Sequence, residues 1–189
     1  MKKRIESILK DSINVKEKLL SGSINTISQI ADQIITSLKK GGKLIIFGNG
    51  GSAADAQHIA AELIGRFQKE RRALAALALT TNTSVLTALA NDYGYETVFS
   101  RQLEALADKK DVVLAISTSG KAKNVIEAVK LAKSIGIKTI AFTGQRGGEL
   151  AKLADIALIV PAKITARIQE AHITVGHILC ELIEYELTK

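Results

Sequence analysis

The chain is 189 residues long, 47% hydrophobic and 24% charged, a composition typical of a globular domain with a substantial buried core. No apolar run reaches the roughly 18 residues that a transmembrane helix needs, so the sequence predicts no membrane partner. A single cysteine, Cys180, excludes an internal disulfide and favours a cytoplasmic location.

The net charge of +7 does not by itself indicate nucleic-acid binding. The lysines are scattered, and only residues 69–72 (KERR) approach a cluster. Aromatic residues, at 4%, do not alternate with basic residues as base stacking requires. We therefore expect no nucleic-acid partner, and a mildly basic surface that attracts small anions such as phosphorylated sugars.

Two helices are predicted in the first 40 residues. Apolar residues recur at helical spacing over residues 5–13 and again over 24–35, and the segment Ser21–Ser23 between them reads as a turn. Gly41 and Gly42 end the second helix. A pair of long amphipathic helices has to cover either the chain's own sheet or another subunit, and we expect residues 1–40 to serve in oligomerisation.

Five short apolar runs then alternate with helical patterns. The predicted strands are 43–47, 75–79, 112–116, 137–142 and 156–160, and a final helix covers 165–187. Near-continuous apolar runs are typical of strands buried on both faces of a parallel sheet. The sequence thus predicts one α/β domain, 1–189, with a doubly wound five-stranded parallel sheet flanked by helices, an N-terminal helical pair and a long C-terminal helix.

A glycine-rich loop, Gly48-Asn-Gly-Gly-Ser52, follows the first strand and opens a helix. Glycines let backbone N–H groups approach an anion, and the start of a helix adds its dipole. The spacing matches neither the dinucleotide fingerprint nor the Walker loop. The loop predicts an anion site without a nucleotide, and a tight turn with no ligand is the alternative.

A second loop, Ser117-Thr-Ser-Gly120, follows the third strand. One hydroxyl suffices to cap a helix, so three in succession favour a phosphate ligand. A third loop, Thr143–Gly148 (TGQRGG), is similar but weaker and is predicted to be structural. Two such loops without a nucleotide motif predict a small phosphorylated ligand.

The helix after the glycine loop carries His58 and Glu62, four residues apart and hence on one face. Such a pair can ligate zinc or transfer a proton, although many pairs of this kind are only solvated. On the last helix, Gln169 and His177 lie about 80° apart around the axis and could face one cavity. His172 is interpreted as a structural hydrogen-bonding residue and Cys180 as a buried thiol.

These motifs together resemble the sugar isomerase (SIS) domain, and more narrowly the phosphoheptose isomerase family. The resemblance rests on the first two loops, on residues 167–170 (RIQE) followed by His177, and on residues 91–94 (NDYG) and 99–102 (FSRQ). It covers essentially the whole chain.

The resemblance implies an enzyme that converts sedoheptulose 7-phosphate to D-glycero-D-manno-heptose 7-phosphate, toward the ADP-heptoses of lipopolysaccharide core or related glycans. It implies a cytoplasmic homotetramer with active sites at subunit interfaces and one zinc ion per subunit. The implied zinc ligands are His58, Glu62, Gln169 and His177, with Glu62 and His177 also the catalytic base and acid. The implied substrate-binding residues are Asn49, Gly50, Gly51, Ser52, Glu62, Asn91, Asp92, Ser117, Thr118, Ser119 and Gln169.

The chain departs from the family pattern in the second loop. The family's usual Ser-Thr-Ser-Gly-x-Ser reads here Ser117-Thr-Ser-Gly-Lys-Ala122, so a hydroxyl expected on the phosphate is missing. Lys121 is close enough in the chain to supply charge instead.

Other functions remain as alternatives. A related non-enzymatic branch binds the replication initiator DnaA; it keeps the glycine loop and lacks the glutamate and the final histidine that this chain has in Glu62 and His177. A sugar-phosphate-sensing regulator would need a helix-turn-helix domain, for which 40 leading residues are too few. A hexulose-phosphate isomerase would differ in substrate only. For the isomerase itself, the sequence leaves open whether Glu62 is a metal ligand, the base that takes a proton from C1, or both.

Overall fold

The strands of the protein form where the sequence is continuously apolar, as expected of a sheet covered on both faces. A computed structural model describes residues 1–189. The strands are β1 (Leu44–Gly48), β2 (Ala76–Ala78), β3 (Val112–Ser117), β4 (Lys138–Gly144) and β5 (Ile156–Val160). The helices are α1 (Lys2–Gly22), α2 (Ile24–Lys39), α3 (Gly51–Ile64), α4 (Thr83–Tyr93), α5 (Ser100–Leu106), α6 (Lys123–Ser134), α7 (Gly148–Leu153) and α8 (Thr165–Leu187), and a 3-10 turn covers Tyr95–Thr97.

All strand pairs are parallel, in the order β2-β1-β3-β4-β5. The predicted doubly wound sheet is therefore confirmed, as is the span of the last helix. The chain moves outward from β1 to β2 and then returns to place β3 on the other side of β1. Folds of this kind bind ligands at that switch point, beyond the carboxyl ends of the strands. The loops after β1 and β3 are the glycine and serine loops that the sequence singled out.

Alternate side chains of each strand enter two separate cores, since successive residues point to opposite faces. Leu44 and Ile46 of β1 pack in a core with α2, α3 and α8, whereas Ile45 and Phe47 pack with α5, α6 and α7. The helices α2, α3 and α8 cover the face of the sheet that Leu44 and Ile46 enter, and this packing fixes them to the sheet.

The two N-terminal helices differ in what they cover. α2 buries Ile30 and Ile34 completely against the sheet side of the molecule. α1 buries only Val15 and Leu19. The apolar side chains that predicted α1 (Ile5, Ile8, Leu9 and Ile13) are 37–58% exposed. The helices form as predicted, but only the second covers the chain's own sheet. No helix of the structure is both long and apolar enough to cross a bilayer.

His172 lies on the face of α8 that packs on the sheet and is fully buried. Its Nε2 is 3.0 Å from the carbonyl oxygen of Thr143, at the end of β4. Because a carbonyl oxygen can only accept, Nε2 carries the proton and donates, and the buried Nδ1 has no partner. The interpretation of His172 as a structural hydrogen-bonding residue is confirmed. Burial lowers the pKa of His172 from 6.5 to about 4, although the Thr143 carbonyl opposes part of this effect.

We expect the neutral state of His172 to make folding acid-sensitive. Because its folded pKa is below the unfolded value of 6.5, the contribution of His172 is complete above pH 6.5 and is lost as the pH falls toward 4. The loss amounts to about 3 kcal/mol. Urea unfolding of wild type and His172→Leu at pH 7.5 and pH 4.5 measures it. The variant should be less stable at pH 7.5 and show a smaller decrease on acidification, and an equal decrease in both proteins would contradict the assignment.

Candidate functional site

A cluster of three metal-ligating side chains lies between α3 and α8. His58 and Glu62 are one turn apart on α3, and Glu62 Oε1 is 3.1 Å from His58 Nε2. His177 approaches from α8, with its Nε2 3.4 Å from His58 Nε2. The ligand atoms of all three lie within 4.8 Å of one another. The pair that the sequence placed on one helix face therefore meets the histidine that it placed far along the chain.

The chemistry of this cluster fits a metal ion. The Nε2 atoms of His58 and His177, 3.4 Å apart, are close enough to share a hydrogen bond or to bind one cation together. Two imidazoles and one carboxylate are also a donor set typical of zinc. Cys180 does not belong to the cluster: it is buried among apolar side chains. Burial, together with the charges of Glu62 and Glu184, raises the pKa of the Cys180 thiol to about 12, so the thiolate that a metal requires is disfavoured.

Gln169 lies two turns before His177 on α8, about 12 Å along the axis. Its side-chain amide packs on the glycine loop, where a Cβ added to Gly51 would be 2.4 Å from Gln169 Nε2. A side chain at residue 51 would force the Gln169 amide to move, so the two groups are in direct contact. The structure therefore joins Gln169 to the glycine loop, and its role as a fourth metal ligand stays a prediction.

Asn49 is held by a residue that the sequence reading missed. Asn49 and Asn124 exchange two side-chain hydrogen bonds of 2.9 Å, across the gap between the β1 and β3 loops. Tyr95 Oη donates to the same Asn49 oxygen at 3.2 Å. Asn124 follows the serine loop by only a few residues, and a polar side chain in the apolar stripe of α6 was the available signal. The network fixes the amide of Asn49 at the switch point.

The remaining substrate-binding candidates fall into two groups. Ser52 and Ser117 are buried at the ends of β1 and β3, and Thr118 and Ser119 are half-buried beside them. Asn91 and Asp92, on α4, are exposed and bonded to each other at 2.8 Å, with no hydrogen bond to the other candidates. The serines thus lie in the crevice, whereas the contact of residues 91–92 with a substrate remains a prediction.

Comparison with known proteins agrees with this geometry. Residues 9–144 match the model of the SIS domain family. A phosphoheptose isomerase from Aquifex aeolicus is 55% identical over 97% of this chain and 96% of its own length. The solved structure of phosphoheptose isomerase from Neisseria gonorrhoeae superposes with a TM-score of 0.92, at 44% identity over 97% of this chain and 98% of that one. A second solved phosphoheptose isomerase, from Francisella tularensis, gives a TM-score of 0.94 at 37% identity, covering 97% of each chain.

The chain belongs to the phosphoheptose isomerase family. These matches span nearly the full length of each relative, so the whole site is included in the comparison. The departure of this family member at residue 122 can be located on the structure. Ala122 is the N-cap of α6, with an extended backbone and no side-chain cap.

Replacing Ala122 with serine should restore both a cap and a phosphate contact. We expect Ala122→Ser to stabilise the fold by about 1 kcal/mol, the usual difference between serine and alanine at an N-cap. We also expect a KM several-fold lower for this family member's sugar phosphate substrate, because a fourth hydroxyl would join those of Ser117, Thr118 and Ser119. Urea unfolding and steady-state kinetics measure the two effects. Ala122→Gly is the matched control: it relieves the poor cap without adding a hydroxyl, so an equal fall in KM there would contradict the phosphate contact.

Asp55 is a titratable group near the metal cluster that the sequence reading passed over. It lies one turn before His58 on α3, and its Oδ2 is buried without a hydrogen-bond partner. Burial raises the pKa of Asp55 to about 6, with the charge of His58 acting in the opposite direction. This carboxyl group therefore holds a proton in weakly acidic solution.

The end of α3 that carries Glu62 is held by a buried ion pair. Arg71 Nε is 3.0 Å from Glu184 Oε2 on α8, and the two side chains are 3% and 2% exposed. Arg71 also donates to the carbonyl oxygens of Glu62 and Leu63, at 2.9 Å each. These carbonyls have no partner within the helix, so Arg71 caps α3.

Glu184 in turn holds the segment that follows α3. Its carboxylate accepts hydrogen bonds from the backbone N–H groups of Phe67, Gln68 and Lys69, at 2.6–3.0 Å. The ring of Phe67 packs on His177, with ring centroids 5.7 Å apart. We call Arg71 and Glu184 the clamp. The clamp positions Glu62 and His177 from behind the metal cluster. Arg71 comes from the one basic run in the sequence, and it serves an internal contact.

Proposed function

We propose that the protein interconverts D-sedoheptulose 7-phosphate and D-glycero-D-manno-heptose 7-phosphate by aldose–ketose isomerisation, in the supply of ADP-heptose precursors of lipopolysaccharide core. One observation carries this proposal: His58, Glu62 and His177 converge at the switch point of a chain that belongs to the phosphoheptose isomerase family. A carboxylate next to an imidazole is what proton transfer between two adjacent carbons requires.

In the proposed reaction, the Glu62 carboxylate accepts a proton from C1 of the ketose, and an enediol forms. A proton is then delivered to C2, which leaves the aldehyde at C1. His177 faces Glu62 from the opposite helix and supplies the proton at C2 or moves a proton between the two oxygens. No atom is gained or lost, and the phosphate takes no part in the chemistry.

The metal in this proposal is zinc, held by His58, Glu62 and His177 with Gln169 as the fourth ligand. When bound, zinc would polarise the substrate carbonyl and stabilise the negative charge that develops on its oxygen. Glu62 is then a ligand in the resting protein and the base once substrate is present. The position of its carboxylate, partly exposed and 3.1 Å from His58 Nε2, supports this dual role.

The loops around the switch point bind the rest of the substrate. Ser117, Thr118 and Ser119 receive the phosphate, with Ser52 at the start of α3. Asn49, Gly50 and Gly51 contact the sugar hydroxyls, joined by Asn91 and Asp92. A phosphate bound away from C1 and C2 supplies binding energy that orients the reacting carbons.

We further propose that the protein is a cytoplasmic homotetramer with active sites at subunit interfaces. The exposed isoleucines and leucine of α1 support this assembly, because an apolar stripe of that length gains stability when a second subunit covers it. Residues 1–40 then have two roles: α2 covers the sheet and α1 covers a neighbour. The proposal assigns Asn91 and Asp92, exposed in a single chain, to an interface site.

Binding to the replication initiator DnaA without catalysis is not favoured. That alternative requires a site without the catalytic glutamate and histidine. Here Glu62 and His177 are both present, and their ligand atoms meet.

The direct test is incubation of the purified protein with sedoheptulose 7-phosphate, followed by chromatographic detection of heptose 7-phosphate. We expect turnover in protein loaded with zinc, loss of activity after chelation, and recovery when zinc is returned. Absence of product in zinc-loaded, folded protein would refute the activity. Full activity after complete chelation would refute the metal and leave the isomerase standing.

A further inference from the structure

A large basic cavity lies on the far side of the serine loop from the metal cluster. Its volume is about 1080 Å³, comparable to that of small-molecule sites. The walls come from α1, from the loops after β3, β4 and β5, and from the start of α8. The cavity includes residues of the third loop, Thr143–Gly148, which the sequence predicts to be structural.

The lining is dominated by positive charge. The cationic residues are Lys18, Lys121, Arg146, Lys152, Lys163 and Arg167. Asp11 lines the same cavity and Glu170 pairs with Arg167, so four of the six positive charges are left uncompensated. Like charges gathered from separate elements repel one another, which makes such a cluster costly unless an anion occupies it.

Five of the six cations of this cavity form no ion pair within the chain. Arg167 alone forms an ion pair, with Glu170, and even there its Nε is buried without a partner. The other five make no salt bridge and no side-chain hydrogen bond, whereas Lys43, Lys130 and Lys133 all have carboxylate partners. The positive charges of these five side chains have no carboxylate partner within the chain and are therefore available to a ligand.

The cavity is separate from the catalytic crevice. Of the residues assigned to substrate or metal, only Ser119 lines it, together with Lys121, which could supply charge in place of the hydroxyl missing at residue 122. Along α8, Arg167 and His177 are about 15 Å apart at 1.5 Å per residue. The third loop closes the cavity by packing directly on the serine loop, where a Cβ on Gly120 would lie 1.9 Å from the carbonyl oxygen of Gly147. Gln145, on the cavity wall, has a φ of +58°, uncommon for a residue other than glycine.

We propose that the basic cavity binds a small anion with two or more phosphate groups, at a site distinct from the catalytic one. A single phosphate carries a charge of about −1.5 to −2 near pH 7 and would leave about half of the uncompensated positive charge unmatched. Two or more linked phosphates match both the charge and the spread of the cations over four or more elements. The inference does not depend on the proposed isomerase activity.

The site has a route to the catalytic crevice through the serine loop. Lys121 lines the cavity, and its backbone N–H donates to Ser119 Oγ at 3.2 Å. Ser119 is the residue that the cavity shares with the proposed substrate phosphate site. An anion bound by Lys121 therefore bears on the loop that receives the substrate, and its effect on catalysis should appear in KM rather than in kcat.

The test uses isothermal titration calorimetry of the full chain with pyrophosphate and, separately, inorganic phosphate, in a buffer without other polyanions. We expect one pyrophosphate per chain, bound at least tenfold more tightly than phosphate. The double variant Arg146→Gln/Lys163→Gln should weaken pyrophosphate binding at least tenfold. The control Lys109→Gln/Lys138→Gln removes the same charge at exposed positions outside the cavity and should leave binding unchanged.

Three outcomes would overturn the proposal. The first is that the wild type does not bind pyrophosphate, which would be the result if acidic groups of a second copy filled the cavity. The second is equal weakening in the cavity and control variants, which would mean attraction by net charge alone. The third is displacement of pyrophosphate by saturating sedoheptulose 7-phosphate, which would make the cavity part of the substrate site. All substituted residues are exposed, and unfolding temperatures equal to wild type would establish that the variants fold.

Discussion

Glu62→Gln should lower kcat for sedoheptulose 7-phosphate by about a thousandfold while leaving the fold intact. General bases contribute typically 10²–10⁴ to rate, and an amide cannot accept the proton from C1. The effect on stability should be small, because the Glu62 side chain is 26% exposed and bonds only to His58, itself a partly exposed residue. Steady-state kinetics and thermal unfolding of the same preparations separate the two effects.

The matched control is Glu70→Gln, which makes the same chemical change at a carboxylate that is 89% exposed. It should have wild-type kinetics. Measurement of bound zinc in Glu62→Gln then distinguishes the two roles of the residue. If the variant keeps a normal zinc content but loses turnover, Glu62 acts as the base. If the variant loses zinc, Glu62 acts as a metal ligand. Normal turnover in Glu62→Gln would remove the mechanism altogether.

The sheet and its helices could be predicted because their signal is local. β1 and β3 are buried along their whole length, and every residue before their last positions, Gly48 and Ser117, is apolar. The last helix was predicted at its observed ends because a single proline and a continuous amphipathic pattern bound it. The loops could be located for the same reason, since in a parallel sheet the strand ends define the ligand edge.

What the sequence could not give is a contact between distant elements whose residues have no motif. Glu184 and Asn124 look like ordinary polar residues of amphipathic helices, and only the fold shows that they meet Arg71 and Asn49. The basic cavity is assembled from single cations on α1, α7, α8 and three separate loops, none of which forms a run. His177 lies between these two cases. Its spacing from Gln169 predicted which side of the last helix it occupies, but not that it meets His58 and Glu62.

Glu184→Gln should destabilise the protein by about 3–5 kcal/mol, the usual cost of removing one partner from a buried ion pair. Arg71 would be left as an uncompensated buried charge. The carboxylate now accepts hydrogen bonds from three backbone N–H groups, and the new amide would place its own N–H donors against them. Glu104→Gln is the control, since the Arg101–Glu104 pair is exposed and should contribute about 0–1 kcal/mol. Urea unfolding at pH 7.5 compares them, and a loss in Glu184→Gln no larger than in the control would contradict the clamp.

The clamp also predicts a second acid-sensitive step, distinct from that of His172. Burial alone would raise the pKa of Glu184, but the N–H donors of residues 67–69 and the charge of Arg71 outweigh it and hold the pKa below the ordinary value of 4.5. Because the folded pKa is depressed, the stabilisation is complete above pH 4.5 and is lost as the pH falls below that value.

Glu184→Gln should therefore lose the part of the stability decrease that lies below pH 4.5 and keep the part between pH 6.5 and 4 that His172 produces. A variant with an unchanged profile below pH 4.5 would show that the clamp carries no charge-dependent stability.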